Sequence, residues 1–385
     1  MRVLRIAHAS LTPRLRERER ALARNHPDVD LEVVTTEKWR EAEVEVEITG
    51  DDLFPVRKAR RLLSRHVQLF AYNPSPIVAA LRRHRPHLID LNAEPYSVAC
   101  AEVLTLRNWF APRAPLVLQT CQNIFRDYPP PFNWLERRAL KQIAAAYPCS
   151  ETARELLDAK GFDKPTPVVP FGVNLEAFTP KPFKRKSDQP LTIGYVGRML
   201  PGKGLNVLAE ALDKIRAENW KLLMVGDGSE RKPFEQALVE NRLIDRAEFT
   251  GAISYDEVPE LFHRMDLLVI PTETTARIRE QFGRVIVEAM AAGVPVIGST
   301  CGAIPEVIDT AGLVFPERDA EALAAAIQRV LNDSALREEF ARMGRRRAEQ
   351  HYSWDSVASK THELYRQILR KQASEVRNPE FEFAS

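Results

Sequence analysis

Residues 191–218 read LTIGYVGRMLPGKGLNVLAEALDKIRAE. The run opens with the apolar and β-branched residues of Leu191–Val196, a pattern that favours a buried strand. A glycine-rich turn comes next, and from Leu205 onward apolar residues recur at the spacing of an amphipathic helix. A strand, a tight turn and a helix in direct succession predict one βαβ unit of a parallel sheet.

The same alternation of short apolar runs and helical segments extends over most of the chain. Further strands are expected at 2–8, 31–35, 87–92, 115–119, 221–225, 247–249, 267–270 and 295–298. Helices are expected between the strands, among them one at 133–146 and a last one from Trp354 to about Lys371. A hairpin, or a strand with a loop, is expected at 41–52. The pattern predicts an α/β protein made of two Rossmann-like halves.

The composition changes between 176 and 190, where the chain reads EAFTPKPFKRKSDQP. This stretch holds three prolines and four basic residues without an apolar period, which is typical of a linker between domains. The predicted organisation is a first domain at 1–178, a linker at 179–190, a second domain at 191–352, a last helix at 353–374 and a tail at 375–385.

The charge balance excludes one class of function. With 55 Lys and Arg against 53 Asp and Glu, the chain lacks the basic character of a nucleic-acid-binding domain, so we expect no nucleic-acid partner.

The four cysteines are scattered without a C-x-x-C pair, which favours free thiols in a reducing compartment. No apolar run is long enough to span a membrane, and the first residues, MRVLRIAHAS, are too short an apolar stretch for a signal peptide. We therefore expect a cytoplasmic protein.

Glycines are scarce in the first half of the chain and concentrated in the second. Of 16 glycines, three fall within residues 1–180, whereas 12 lie between Gly194 and Gly312. Loops that wrap closely around a phosphate rely on glycines. A phosphate-binding loop is therefore expected in the second domain.

The turn after Val196 has the features of an anion site. Gly197 and the glycines after it allow the backbone to approach an oxyanion, and the N–H groups at the start of the next helix point toward it. Arg198 and Lys203 add a guanidinium fork and an ammonium charge. The alternative is an ordinary strand-to-helix turn with incidental cations. A second turn, Gly226-Asp227-Gly228, follows the next strand at the same sheet edge, although G-D-G is also common turn chemistry.

The strongest motif is EQFGRVIVEAMAAGVPV at 280–296. A helix is predicted to begin near Gly283, so its unpaired N–H groups face the loop that holds Glu280. Glu288 lies on an otherwise apolar helix, where a carboxylate is costly unless it has hydrogen-bond partners. The diol of a ribose is a suitable partner, because one carboxylate accepts from both hydroxyls.

This segment resembles the E-x7-E segment of retaining family-4 glycosyltransferases, also called glycosyl transferases group 1, which have the GT-B fold. The resemblance continues through GAIPEVI at 302–308, GLV at 312–314, Gly172-Val173-Asn174 and Ser353-Trp354. It implies two Rossmann-like domains that face each other across a cleft, with the last helix returning to the first domain.

The resemblance also implies the reaction and the roles of the residues. A sugar would pass from a nucleotide-diphosphate-sugar donor to an acceptor hydroxyl with retention of configuration, in polysaccharide, lipopolysaccharide or glycolipid biosynthesis. As catalytic residues, Arg198 and Lys203 neutralise the leaving diphosphate and Glu280 holds the hydroxyls of the donor sugar, while Glu288 binds the ribose diol. The other donor-binding residues are Gly197, Gly226, Asp227, Gly228, Phe282, Gly283 and Arg284.

No cofactor and no metal are expected beside the nucleotide-sugar co-substrate, because Arg198 and Lys203 supply the positive charge. Asp28-Val29-Asp30 has the D-x-D form of metal-dependent glycosyltransferases, but it follows His26-Pro27 and is interpreted as a turn. No separate carboxylate nucleophile stands out, in line with the front-face mechanism proposed for enzymes of this family.

Two other functional classes stay open at this point. A sugar phosphorylase or a nucleotide-sugar epimerase can use the same two-domain scaffold, and a phosphorylase would be distinguished by its use of inorganic phosphate. A binding protein without catalysis is the third alternative, which the unusual loops of the first domain keep open.

The first domain departs from the family pattern on the acceptor side. The loop after the first strand is HASL, which contains Ser10 and no glycine, and Cys121 or Gln122 stands where many members have a histidine. Together with Asn123, these residues are the acceptor-side candidates. Glu94 follows a strand and is interpreted either as a ligand of the acceptor hydroxyl or as a cap of the next helix.

The segment VRKARRLLSRHV, which runs from Val56 to Val67, is predicted to form a basic amphipathic helix. Such a helix can lie on an anionic membrane, and it would hold the enzyme on the inner face of the membrane near a lipid-linked acceptor. The alternative is a surface helix that docks on its own sheet and leaves a solvated basic face.

Overall fold

The computed structural model describes residues 1–41, 44–64, 66–180 and 189–377. They form two compact units. The first unit comprises Met1–Pro170 together with the described residues from Trp354 onward, and the second comprises Phe171–Ser353. The first unit is therefore discontinuous in sequence.

The first unit is built on a parallel sheet. In chain order, the strands of this unit are β1 (Arg2–Ala7), β2 (Asp30–Thr36), β3 (Lys38–Glu41), β4 (Val44–Glu47), β5 (Val56–Ala59), β6 (Arg61–Leu62), β7 (Ala71–Tyr72), β8 (Leu88–Asn92), β9 (Leu116–Thr120) and β10 (Ala145–Pro148). Six of them form the sheet, in the order β10-β9-β8-β1-β2-β5, with every neighbouring pair parallel. The pairs β3-β4 and β6-β7 are antiparallel hairpins.

Helices cover both faces of this sheet. They are α1 (Glu17–Asn25), α2 (Pro74–His84), α3 (Val98–Phe110), α4 (Phe132–Gln142) and α5 (Glu151–Ala159), with a 3-10 turn at Pro13–Arg16 before α1. The strands are buried on both sides, as expected where crossover helices pack on each face.

The second unit repeats this architecture. Its strands are β11 (Leu191–Val196), β12 (Trp220–Val225), β13 (Ala247–Gly251), β14 (Leu267–Ile270), β15 (Val296–Ser299) and β16 (Gly312–Phe315). They form one parallel sheet in the order β13-β12-β11-β14-β15-β16. Its helices are α6 (Leu205–Lys214), α7 (Arg231–Glu240), α8 (Val258–Phe262), α9 (Arg284–Ala291), α10 (Ile304–Ile308), α11 (Ala320–Asn332) and α12 (Ser334–Arg347). Short 3-10 turns lie at Ile244–Arg246 and Tyr255–Glu257, and a π turn lies at Ala348–Tyr352.

The last helix, α13 (Trp354–Arg377), packs on the first unit. Its apolar side chains, including Val357 and Leu364, are buried in one core cluster with Leu22 of α1. Because each sheet is parallel, its strands all end at one edge, which is where α/β proteins place ligand sites. The predicted α/β fold with two Rossmann-like halves is confirmed.

The boundary between the two units lies earlier in the sequence than expected. The first unit ends at Pro170, whereas the boundary was predicted after 178. The intervening residues pack on the second unit: the ring of Phe178 lies 5.9 Å from that of Phe262, and Arg345 donates a 2.8 Å hydrogen bond to the carbonyl of Phe178. Most of the predicted linker, 181–188, lies outside the described residues, as do residues 378–385 of the predicted tail.

The helix predicted at 133–146 is shorter than expected. It ends at Gln142, and Ala145–Pro148 forms the edge strand β10 instead. The N–H of Ala144 donates to the carbonyl of Leu116, and Ala145 then pairs in register with Val117 of β9. Pairing with a neighbouring strand therefore overrides the helix propensity of the alanine run. The strand β16 and the helices α5, α10 and α12 were not predicted.

The amphipathic helix predicted from Val56 to Val67 is wrong. Residues Val56–Ala59 form β5, which pairs with the edge of β2, and Arg61–Leu62 belongs to a hairpin. The apolar residues happen to recur at helical spacing, but the open edge of β2 offers backbone partners that favour a strand. The alternative of a docked surface helix is wrong for the same reason. The hairpin expected at 41–52 is present as β3-β4 and begins at Lys38.

Within the described part of the chain, every helix is too short or too polar to cross a lipid bilayer.

Candidate functional site

The glycine-rich turn after β11 lies beside the turn after β12. The N–H of Gly197 donates to the carbonyl of Val225 at 3.0 Å, and that of Met199 donates to the carbonyl of Asp227 at 2.9 Å. Gly226 has φ of +122°, and a Cβ there would lie 2.1 Å from the carbonyl oxygen of Gly197. Only glycine permits this approach. The two predicted anion-binding turns thus share one edge of the second sheet.

Lys203 and Glu280 form an ion pair at this edge. The Lys203 Nζ lies 2.9 Å from the Glu280 Oε2, and the two side chains are 23% and 19% exposed. The pair joins the turn after β11 to the loop before α9, although the residues are 77 positions apart. The ammonium group is thus held in place while both side chains keep contact with solvent.

The loop after β15 fixes the backbone of Glu280. The Glu280 N–H donates to the sulfur of Cys301 at 3.4 Å, and the N–H of Ala303 donates to the Glu280 carbonyl at 3.0 Å. Gly302 has φ of +57°, and a Cβ there would lie 2.1 Å from that carbonyl oxygen. This close backbone contact explains why a glycine stands at the position.

The helix α9 begins directly after the loop that holds Glu280. Gly283 occupies its N-cap position in the left-handed conformation, and among the described residues no side chain caps the helix there. The N–H groups of the first turn and the positive end of the helix dipole therefore favour an anion at this position. The side chain of Phe282 is buried against the rings of Phe171 and Tyr352, at 5.5 and 5.7 Å. The Phe282 side chain thus anchors the loop that holds Glu280 to the core of the second unit.

Glu288 lies within α9 and is 7% exposed. Its Oε1 accepts a 2.8 Å hydrogen bond from the hydroxyl of Tyr255, which stands in the 3-10 turn before α8. A buried carboxylate needs such donors. The tyrosine fixes one oxygen of the carboxylate, so the orientation of Glu288 is set before a ligand arrives.

Arg198 lies in the turn after β11 with an exposed side chain. The hydroxyl of Tyr195 donates a 2.9 Å hydrogen bond to its carbonyl oxygen. Burial, reinforced by the negative charge of Glu280, raises the pKa of Tyr195 above its usual value, so this hydroxyl stays protonated. Tyr195 therefore anchors the backbone of the Arg198 turn.

Asp227 and Arg284 have local partners. The Asp227 carboxylate accepts from the N–H of Gly228 at 2.7 Å and lies 3.3 Å from the guanidinium of Arg231. It thereby stabilises its own turn and the start of α7. The guanidinium of Arg284 is exposed and lies 6.0 Å from the centre of the Tyr255 ring.

Three residues at this edge escaped the sequence interpretation: Tyr195, Tyr255 and Cys301. Cys301 lies two residues after the end of β15, and this position near a strand end is its one local signal. The two tyrosines act through contacts with Arg198 and Glu288 that no local pattern reveals.

The acceptor-side candidates lie at the carboxyl edge of the first sheet. Glu94 follows β8, and its carboxylate accepts hydrogen bonds from the hydroxyl of Thr120 and, at 3.2 Å, from the N–H of Cys121. Burial raises the pKa of Glu94, although both hydrogen bonds act against the rise. The interpretation of Glu94 as a helix cap is wrong, because Ser97 caps α3 by accepting from the N–H of Cys100.

Cys121 follows β9 and is half-buried. A hydrogen bond with the Cys149 thiol, together with burial, raises the pKa of the Cys121 thiol well above its usual value. The side chain thus remains a neutral thiol and is unsuited to act as a base.

Gln122, Asn123 and Ser10 have structural contacts of their own. The Gln122 amide donates 2.9 Å hydrogen bonds to the carbonyl of Ile124 and to the hydroxyl of Tyr128, and Asn123 is buried. The carbonyl of Ser10 accepts from the guanidinium of Arg16 at 3.1 Å. The hydrogen bonds of Gln122 and Ser10 order the loops in which these two residues lie.

Comparison with known protein families identifies the family that the two units resemble. The model described as glycosyl transferases group 1 matches residues 178–347, and the model described as glycosyltransferase family 4 matches residues 15–177. The two matches adjoin and together span residues 15–347. The chain belongs to the group 1 glycosyltransferases.

Curated group 1 relatives match part of the chain. An uncharacterized glycosyltransferase of Methanocaldococcus jannaschii is 31% identical over 202 residues, which is 51% of this chain and 50% of the relative. A glycogen synthase of Mycobacterium tuberculosis is 29% identical over 237 residues, which is 60% of this chain and 55% of the relative. The chain thus spans about half the length of these relatives.

Solved glycosyltransferase structures share the fold over nearly the whole chain. A glycosyltransferase from Rickettsia africae superposes with a TM-score of 0.73, at 19% identity, over 96% of this chain and 98% of its own. The GT-B fold expected for a group 1 glycosyltransferase is thereby confirmed.

Proposed function

We propose that this chain transfers a sugar from a nucleoside-diphosphate-sugar donor to an acceptor hydroxyl with retention of the anomeric configuration. The observation that carries the proposal is the ion pair between Lys203 and Glu280 at the edge where α9 begins. It combines a cation, a carboxylate and an uncapped helix N-terminus, which are the groups that a sugar diphosphate requires.

Charge at this edge favours departure of the diphosphate. When the bond between the sugar and the diphosphate breaks, negative charge grows on the phosphate oxygen. Lys203, Arg198 and the first N–H groups of α9 would stabilise that charge, an effect worth a few kcal/mol for each donor in comparable sites. The proposed reaction needs no divalent metal and no cofactor, because these groups supply the positive potential.

The two glutamates divide the binding of the donor. Glu288, oriented by Tyr255, would accept hydrogen bonds from the ribose diol. Glu280, paired with Lys203, would accept from hydroxyls of the transferred sugar. A carboxylate that accepts from two hydroxyls gains charge-assisted hydrogen bonds, which are roughly twice as strong as neutral ones.

In the proposed reaction the acceptor oxygen forms a bond to the anomeric carbon, and the bond from that carbon to the diphosphate oxygen breaks. The proton of the acceptor hydroxyl passes to the departing diphosphate, so the step is balanced without a protein base. This route agrees with Cys121, whose thiol stays neutral on the acceptor side. The acceptor would be a hydroxyl of a saccharide or of a lipid-linked saccharide near Glu94.

The first experiment is a thermal-shift screen with UDP-, GDP- and ADP-sugars. A donor that binds only the native state raises the melting temperature, and Glu288→Ala should abolish the shift. Lys214→Ala, at an exposed lysine of the same unit that pairs with Glu321, is the control and should keep it. Absence of a shift with every nucleotide-sugar would refute the donor assignment.

The second experiment follows the reaction with the donor identified in this way. Release of the free nucleoside diphosphate and an NMR spectrum of the product with the donor's anomeric configuration are expected. A requirement for inorganic phosphate would instead identify a phosphorylase, and interconversion of the donor sugar would identify an epimerase. Binding of the donor without turnover across a panel of saccharide and lipid acceptors would favour a non-catalytic homologue.

A further inference from the structure

The segment between β5 and α2 forms a hairpin with a buried base. Phe70 and Tyr72 are each 1% exposed, and the ring of Phe70 packs against Trp39 at 5.2 Å and against His8 at 5.4 Å. The N–H of Tyr72 donates to the Glu102 carboxylate at 2.8 Å. The base of the hairpin is therefore fixed to the end of the first sheet.

The other end of the hairpin presents apolar side chains to solvent. Leu63 is 80% exposed and has φ of +67°, a backbone conformation that is rare for leucine. Three more apolar side chains, Leu62, Val67 and Leu69, are 40%, 40% and 41% exposed. We call these four residues the apolar tip.

Backbone hydrogen bonds hold the apolar tip in its exposed position. The N–H groups of Leu69 and Phe70 both donate to the carbonyl of His66 at 3.0 Å, and that of Val98 in α3 donates to the carbonyl of Gln68 at 3.1 Å. Scattered exposed leucines are common on proteins, but four exposed apolar side chains within residues 62–69 favour an interaction surface.

The described charged residues of the segment that carries the apolar tip have one sign. Residues 56–64 and 66–69 contain four Arg and Lys and no Asp or Glu. Lys58 and Arg60 are exposed, whereas Arg57 pairs with Glu32, and Arg61 lies over the Trp39 ring at 5.3 Å. An apolar surface on a segment that also carries exposed cations complements the surface of an anionic bilayer, where side chains enter the acyl boundary and cations meet the headgroups.

The hairpin lies at the edge of the first sheet that carries Glu94 and Cys121. β5 is parallel to the rest of the sheet, so the hairpin follows its carboxyl end, as Glu94 follows β8 and Cys121 follows β9. A bilayer at the apolar tip would therefore lie at the acceptor edge.

We propose that the apolar tip and the cations beside it bind the surface of an anionic lipid bilayer. The side chains of Leu62, Leu63, Val67 and Leu69 enter the boundary between headgroups and acyl chains, and Lys58 and Arg60 face the anionic headgroups. Binding does not depend on the proposed transfer reaction, because it uses none of the donor-site residues.

The test is co-sedimentation of the full chain with vesicles of phosphatidylcholine containing phosphatidylglycerol. Leu63→Asn removes the most exposed apolar side chain, and asparagine tolerates the positive φ of this position, so the fold should be kept. It should weaken binding about tenfold, the loss expected for part of one leucine's burial. Val239→Asn, at a valine that is 51% exposed in the second unit, is the matched control and should bind as the wild type does.

The double variant Lys58→Glu/Arg60→Glu tests the charges. This variant should not bind the vesicles at about 50 mM salt. Raising the salt to about 500 mM should likewise weaken vesicle binding by the wild type. Unchanged binding of Leu63→Asn, or no wild-type binding to anionic vesicles at low salt, would overturn the proposal. A wild-type dimer in analytical ultracentrifugation that Leu63→Asn dissociates, without lipid binding, would show that a second copy of the chain covers the apolar tip instead.

Discussion

The hydroxyl of Tyr365, on the last helix, donates a hydrogen bond to the carboxylate of Asp90, which is fully buried in β8 of the first sheet. Burial alone would raise the pKa of Asp90, but the charges of Arg5 and Arg18 outweigh it and hold the pKa below its usual value. The carboxylate is therefore ionised inside the protein. The last helix contributes one of the donors that keep it so.

Removing that hydroxyl should destabilise the first unit. Tyr365→Phe leaves the buried carboxylate with one donor fewer, at a cost of about 1–3 kcal/mol in the free energy of unfolding. Urea denaturation measures it, with Gln367→Ala, at an exposed residue of the same helix, as the control. Asp90→Asn should cost more, about 3–5 kcal/mol, because it removes the negative charge that compensates two buried guanidiniums. A Tyr365→Phe protein as stable as the wild type would show that the hydrogen bond has no net effect.

Substitutions at the ion pair of the donor site should lower turnover while the fold persists. Lys203→Met removes one stabilising group of the leaving diphosphate and should reduce kcat by about 100-fold. Arg198→Ala should reduce transfer by at least about tenfold on the same grounds. Glu280→Ala should abolish it, because the hydroxyls of the donor sugar lose their carboxylate.

Steady-state kinetics, with melting temperatures to verify folding, measure these effects. Lys214→Met is the matched control, since this lysine is exposed and pairs with Glu321 in the same unit. Wild-type turnover in Glu280→Ala or Arg198→Ala would refute the assignment of the site.

Tyr255→Phe should change binding of the donor more than turnover. Without its hydroxyl the Glu288 carboxylate loses a 2.8 Å hydrogen bond that sets its orientation. The KM for the donor should rise about three- to tenfold, as the loss of one hydrogen bond implies, while kcat stays close to the wild-type value. An equal fall in kcat with an unchanged KM would show instead that Tyr255 acts in the transition state.

His8 should make the first unit sensitive to acid. Burial, with a further contribution from the charge of Arg5, lowers the pKa of His8 to about 4, although a hydrogen bond with the backbone of Asn92 acts against the shift. The unfolded chain takes up this proton near its ordinary pKa of about 6.5, whereas the folded chain does so near 4. This histidine's contribution to stability is therefore complete above about pH 6.5 and is lost progressively as the pH falls toward 4.

His8→Asn should remove that dependence. The free energy of unfolding of the variant, relative to the wild type, should rise as the pH is lowered from 6.5 to 4, and urea denaturation at a series of pH values measures it. A constant difference between the two proteins over this range would contradict the assigned pKa.

The backbone geometry of the proposed donor site was accessible from sequence because its features are local. The glycines between 194 and 204 and the helix start at Gly283 follow from the conformations that a turn and an N-cap impose. The pairing of Lys203 with Glu280 could be anticipated only through the resemblance, since 77 residues separate the two.

Features that depend on distant partners could not be predicted from sequence. Residues 56–59 became a strand because β2 offers an open edge, although their spacing was helical. Tyr255 reaches Glu288 through the packing of the 3-10 turn before α8, which no local pattern encodes. The side chain that caps α3 is Ser97 and not Glu94, because a serine hydroxyl three residues before Cys100 has the better cap geometry.

The discontinuity of the first unit has a consequence for the nascent chain. The second unit, Phe171–Ser353, lies between the two parts of the first. On the ribosome, the second unit can therefore finish folding while the first still lacks α13. The hydrogen bond from Tyr365 to Asp90 can form only after the intervening unit has been synthesised. The unit that emerges first from the exit tunnel is thus completed last.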